Sequence, residues 1–275
     1  MSGIEEIVQK EIDLVANAQA RQALAASYEG SRAALAGIEA FFQEFSGVAW
    51  CLDARRQFFR NWRSPGLGSA SFCALTFRLL AQAEQAPVAR QALLFHTATR
   101  VSEVSREDVG IGTTNHQVLY DQFATRLAGG DEWKLDRYLH VDPQAYISQS
   151  RRYRESGPDL GVAITRSLPE ELYNHGEFAF AAPLLVTWCR GQLGRTPKEV
   201  EEDLRFVRDH LGTTESGHFA ALVRGLEDYC LAWRCSPDWD LLRQASVELL
   251  NSRSSYYQFL MRAMRKTHAD EAALA

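Results

Sequence analysis

Three side chains of metal-ligand type, His210, Glu215 and His218, fall within nine residues of one another in the stretch from Phe206 to Leu226, FVRDHLGTTESGHFAALVRGL. On a helix Glu215 and His218 share a face at i and i+3, and Leu222, Leu226 and Tyr229 continue that stripe. Both polar groups are therefore expected to point at a core. A buried carboxylate or imidazole is costly unless paired, and a bound cation is one of the few partners able to serve several at once. The plainer reading is an exposed helix pair, so the rest of the chain has to decide.

Other polar groups fall on apolar helical faces. Counting back from the Gly110-Ile111-Gly112 stop, Asp108 lines up with Val104, Val101 and Thr97, whereas Glu107 and Arg106 fall off that face. Asn115 can cap a helix that starts at His116 and carries Leu119, Phe123 and Leu127 on one side. Glu177 shares a face with Ala181, Leu184 and Trp188, where water cannot easily satisfy it; a salt bridge to an arginine is the alternative. Asp108, His116, Glu177, His210, Glu215 and His218 together make a hard-to-borderline ligand set, suited to two iron or manganese ions and unlike a thiolate zinc site. Carboxylate-bridged dimetal centres in helical bundles are built from such inward-facing groups.

The elements that must position these residues read as helices nearly throughout, with no convincing alternating strand. The expected fold is an all-α, single-domain bundle over residues 1–275. Residues 4–28 read as one helix, a surface or dimer-contacting arm over roughly the first thirty residues; 31–45 and 53–62 follow, with Phe58, Phe59 and Trp62 as core. A loop at 64–68 precedes a helix to about Gln85 that Ser69 or Ser71 caps, and Pro87 opens the next. The stretch 133–154 is broken at Asp142-Pro143, and its Arg151, Arg152 and Arg154 read as a solvated face. Leu168-Pro169 reads as a break, with Pro169 starting a helix to about Leu193. Pro197 opens an acidic helix, a last helix covers 238–266, and 267–275 reads as a frayed tail.

Composition removes several function classes. With 46% hydrophobic and 24% charged residues the chain can build one large core. A net charge of −5 argues against a nucleic-acid partner, which would need clustered Lys and Arg. No uncharged run approaches the roughly 18 residues of a membrane span, and the acidic start is unlike a leader, so a cytoplasmic location is expected. Cys51, Cys73, Cys189, Cys230 and Cys235 contain no CxxC pair and read as reduced thiols.

The order and context of these residues resemble the heme-oxygenase-like diiron oxidases and oxygenases. The resemblance rests on Asp108-Val109-Gly110-Ile111-Gly112 followed by His116 and Leu119-Tyr120-Asp121-Gln122-Phe123, then Glu177 with Pro183, then Phe206 with His210, Glu215 and His218, and it covers roughly residues 40–230. It implies a bundle of about seven core helices. A carboxylate and a His would come from around the first glycine stop, a carboxylate from the middle helix, and a His, carboxylate and His from the last core helix. It further implies two Fe(II) per chain and O2 as co-substrate. The substrate would be small and amino-acid-derived, undergoing N-oxygenation, desaturation or oxidative C–C fragmentation in natural-product biosynthesis.

Two departures from that pattern stand out. The first carboxylate is usually Glu, and here it is Asp108, with Glu107 beside it as an alternative. The last trio is spaced five then three residues, where four then three is typical, which turns His210 by about 100° on a regular helix. Either a π-bulge or broken turn across 211–214 absorbs the extra residue, or His210 is not a ligand. Arg78 and Arg100, on helices bordering the core, are candidates for a substrate carboxylate, with surface salt bridges as the alternative. Other readings on the same fold are a metal-free thiaminase-like hydrolase using Cys189, an oxidase like the quinone-cofactor-synthesising enzymes, and a non-catalytic helical partner protein.

Overall fold

The computed structural model describes residues 3–62, 68–140, 145–212 and 214–273, with side chains except at 107 and 145–147. Of the expected loop at 64–68, residues 64–67 lie outside the described residues, as does the break at 142–143. The chain is all helical among those residues: α1 (Ile4–Leu14), α2 (Ala18–Gly30), α3 (Arg32–Gly47), α4 (Leu52–Trp62), α5 (Ser69–Gln85), α6 (Val88–Asp108), α7 (His116–Leu127), α8 (Ala145–Ser156), α9 (Leu160–Gly191), α10 (Pro197–Asp203), α11 (Arg205–Asp209), α12 (Thr214–Trp233) and α13 (Trp239–Ala272). Two 3-10 turns, Asp131–Lys134 and Asp136–Tyr138, separate α7 from α8. No helix among the described residues is long and apolar enough to cross a membrane.

The organising element is α9. Its buried residues run all round the helix, from Leu160 through Leu172 and Phe180 to Trp188, as expected of a helix packed on every side. The layers around it are α1, α3, α8, α12 and α13. Asp159 caps it by accepting from the N–H of Val162, and the helix then runs for 32 residues straight through Pro169 and Pro183. Pro169 is thus an interior residue, nine positions after Leu160, where a helix start was expected. An interior proline costs about 3 kcal/mol through a lost hydrogen bond and a clash. Burial along the whole of α9 outweighs that local penalty, which a local reading cannot see.

The ends of the chain belong to the core as well. The first stretch is two helices, because Asn17 accepts from the N–H groups of Gln19 and Ala20 and starts a new one. Ile4, Val8 and Ile12 of α1 are buried, and a Cβ on Gly176 of α9 would lie 2.6 Å from Val8 Cγ1. The glycine lets α1 settle against α9 in the same chain, so residues 4–14 form a packed layer and no free arm. At the other end α13 continues to Ala272, beyond the expected stop. Thr267 Oγ1 accepts from Gln57 Nε2 at 2.9 Å, and His268 Nδ1 accepts from the Cys51 N–H at 3.1 Å. These bonds hold the segment that was expected to fray.

Candidate metal centre

The site forms where α6, α7, α9 and the α11–α12 junction converge. On α6, Asp108 is the last helical residue, and Gly110 and Gly112 at φ 84° and 82° turn the chain back so that Asn115 can cap α7. This turn places His116 beside Asp108, with Nδ1 2.9 Å from Oδ1. Ser69 of α5 donates to Oδ2 of the same carboxylate at 3.0 Å. Both Asp108 oxygens are therefore engaged, and a neutral His116 that donates from Nδ1 keeps its Nε2 lone pair for another partner. Carboxylates that orient metal-binding imidazoles act in this way. The side chain of the alternative carboxylate, Glu107, lies outside the described residues.

The five-residue gap in the last trio is absorbed by a break. α11 ends at Asp209, α12 begins at Thr214, and Gly212 takes φ 78° between them. His210 stays buried across this broken turn. Its Nδ1 lies 2.7 Å from the Phe206 carbonyl, which fixes the tautomer with the lone pair on Nε2. Phe178 and Phe206 pack on the ring, each with its centroid 4.4 Å away, and the His116 ring is also at 4.4 Å.

Glu215 joins the two halves of the site. One oxygen, Oε1, is 3.7 Å from His210 Nε2, while the other, Oε2, is 3.9 Å from His218 Nδ1. On the far side of His218 is Glu171 of α9, with Oε2 3.4 Å from Nδ1. One ligand atom from each of Glu171, Glu215 and His218 lies within 4.8 Å of the others, and all three residues are buried.

The electrostatics of this trio are those of a cluster short of positive charge. Burial pushes the Glu171 carboxyl up to about 8, His218 pulls it back, and the Glu215 charge adds to the rise. Burial lowers His218, but its hydrogen bonds to Glu171 and Glu215 outweigh that and carry it up to about 11. The trio thus holds extra protons, which a cation would replace.

The remaining expected site residues are elsewhere or otherwise engaged. Glu177, also buried on α9, accepts from Trp62 Nε1 at 2.9 Å, from Tyr257 Oη at 2.7 Å and from Tyr173 Oη. Arg78 donates to the carbonyls of Tyr153, Arg154 and Gly157, closing the C-terminal end of α8. Arg100 pairs with Asp228 at 2.9 Å. Arg154, expected on a solvated face, is fully buried. It donates to Ser71 at 2.8 Å, Ser167 at 3.2 Å and Glu170 at 3.1 Å, and lies over the Phe72 ring at 4.4 Å. A guanidinium can leave water when a carboxylate, hydroxyls and an aromatic face replace it. Glu171 is the site residue that the sequence reading missed. It shares an apolar face with Ile164, Leu168 and Phe178, a signal visible once α9 is known to begin at Leu160.

No protein-family model and no curated protein matches the chain.

Proposed function

We propose that this chain is an O2-dependent oxidase or oxygenase with two irons, acting on a small amino-acid-derived substrate in a heme-oxygenase-like bundle, as the resemblance in the sequence suggests. The observation that carries the proposal is the position of Glu215, whose two carboxylate oxygens face two different buried imidazoles. A carboxylate so placed would offer an oxygen to an ion held beside either imidazole. The donor set fits: Glu171, Glu215 and His218 would hold one ion, and His210 with His116 would hold the second, sharing Glu215. The Phe206 carbonyl and Asp108 hold the Nδ1 sides of His210 and His116, so Nε2 is the atom each ring would turn to a metal.

When bound, Fe(II) would supply the electrons that reduce O2 during substrate oxidation. The chain's own residues do the rest. Burial of Glu171, Glu215, His210 and His218 excludes water and strengthens every charge interaction within the site. The Glu171 carboxyl, pushed up to about 8, holds a proton beside His218 in the metal-free protein. Phe178 and Phe206 wall the His210 side with apolar surface.

The hydrolase alternative has less support. Cys189 is buried, and burial pushes its thiol up to about 12, the reverse of an activated nucleophile.

The test is protein loaded anaerobically with Fe(II), mixed with O2 and a panel of amino-acid derivatives. Substrate-dependent O2 uptake that His218→Ala abolishes and Cys189→Ser preserves is the expected result. Turnover by metal-free protein that Cys189→Ser abolishes would overturn the proposal in favour of the hydrolase.

A further inference from the structure

The far end of α12 carries a feature unrelated to the metal centre. The Cys235 N–H donates to the Cys230 carbonyl at 3.0 Å, and the Arg234 N–H to the Leu231 carbonyl at 3.2 Å. This nested pair of bonds is the Schellman helix ending, in which the residue just past the helix takes left-handed backbone angles. Here that residue is Arg234, at φ 57°, where glycine is usual. The ending also brings together the side chains at the two extremes of the longer bond, commonly an apolar pair. In this chain both are cysteines, one buried (Cys230) and one exposed (Cys235). Burial first, and then its hydrogen bond with the Cys235 thiol, pushes the Cys230 thiol up to about 12.

We propose that Cys230 and Cys235 are a redox-active pair that closes to a disulfide across the end of α12 when the protein meets a hydroperoxide. The exposed Cys235 reacts first. Its thiolate attacks one peroxide oxygen, an S–O bond forms as the O–O bond breaks, and the leaving hydroxide takes up a proton. The Cys230 sulfur then attacks the Cys235 sulfur, the S–S bond forms, and the S–O bond breaks, releasing water with the proton from Cys230. With hydrogen peroxide, two thiols lose two electrons and two protons, and the oxidant becomes two waters. The order follows from exposure: the oxidant reaches Cys235 first, and the buried Cys230 beside it resolves the product, giving up its proton as the S–S bond forms. Cys51, Cys73 and Cys189 are internal controls.

Peptide mapping tests this on the full chain. Protein treated with hydrogen peroxide, blocked with iodoacetamide and cut with trypsin without reductant is cleaved after Arg224, Arg234 and Arg243, which separates the two cysteines. The expected result is that peptides 225–234 and 235–243 travel as one linked species, lighter by two hydrogens and separated by dithiothreitol. Titratable thiols then fall from five to three. In Cys230→Ala the Cys235 sulfenic acid persists and is captured by dimedone. Both cysteines alkylated in the wild type, Cys235 over-oxidised while Cys230 is alkylated, or Cys235 linked to any other cysteine would each overturn the proposal. The wild-type map decides alone if the variant does not fold.

Discussion

Glu171 and Glu177 sit on the same helix, are both buried, and belong to the same residue type, yet their surroundings differ in kind. Glu177 is answered by three donors, one indole and two phenols, brought from α4, α13 and its own helix, with the buried Arg253 guanidinium close enough to interact with it and lying over the Tyr173 ring. Glu171 faces an imidazole and a second carboxylate instead. Three hydrogen-bond donors and a nearby guanidinium satisfy a buried carboxyl group within the protein, whereas two carboxylates around one histidine leave negative charge that calls for protons or a cation. Burial of a carboxylate therefore does not mark a ligand. The charge of its neighbours does.

Replacing each residue in turn is the way to break this comparison. Glu177→Ala strands three buried donors, each worth about 1–3 kcal/mol when unsatisfied, so a loss of about 3–5 kcal/mol is expected in urea unfolding. Glu177→Gln keeps an acceptor in place and is expected to cost about 1–2 kcal/mol. If Glu177→Ala unfolds at the wild-type midpoint, the Trp62–Tyr173–Tyr257 network does not hold the core.

The same contrast explains what was legible in the sequence. Helical periodicity gave the all-α class, and the apolar faces on which His116, His210, Glu215 and His218 were read lie near one another: the His116 and His210 rings are 4.4 Å apart, and Glu215 reaches toward both His210 and His218. Glu177 was correctly read as buried. Its partners Trp62 and Tyr257, however, lie 115 and 80 residues away, and no local pattern announces them. Glu171 was hidden by a helix start placed at Pro169, since a carboxylate in a first turn is ordinary complement to the helix dipole. Arg154 was hidden similarly, because its partners Ser71 and Glu170 come from α5 and α9. Long-range pairing decided Glu177 and Arg154, and burial along the whole of α9 decided Glu171.

A smaller effect separates metal-free from metal-loaded protein. Glu171 and His218 both have folded values above their ordinary ones of 4.5 and 6.5, so the folded state binds more protons than the unfolded state. The stability they contribute is complete below those ordinary values and is lost as pH rises through about 8 for Glu171 and about 11 for His218. Metal-free protein should therefore lose stability on going from pH 6.5 to 8, where both groups hold the extra proton, and Glu171→Gln should flatten that slope. A slope unchanged by Glu171→Gln would mean that Glu171 does not titrate in this window.

The smallest expected effect sharpens the comparison most. With its carboxyl pushed up to about 8, Glu171 is largely neutral at neutral pH, and glutamine is close to it in shape and charge. Metal-free Glu171→Gln should unfold within about 1 kcal/mol of wild type there. A loss as large as that of Glu177→Ala would show that Glu171 is a structural carboxylate like Glu177.

The central claim, that Glu171 belongs to a metal centre and Glu177 to the core, is tested most directly by iron stoichiometry. Wild type, Glu171→Ala and Glu177→Gln would be titrated anaerobically with Fe(II), desalted, and assayed for bound iron per folded chain. Two irons in wild type and in Glu177→Gln, with at least one lost in Glu171→Ala, is the predicted result. No iron in the wild type, or the same uptake in Glu171→Ala as in the wild type, would contradict it.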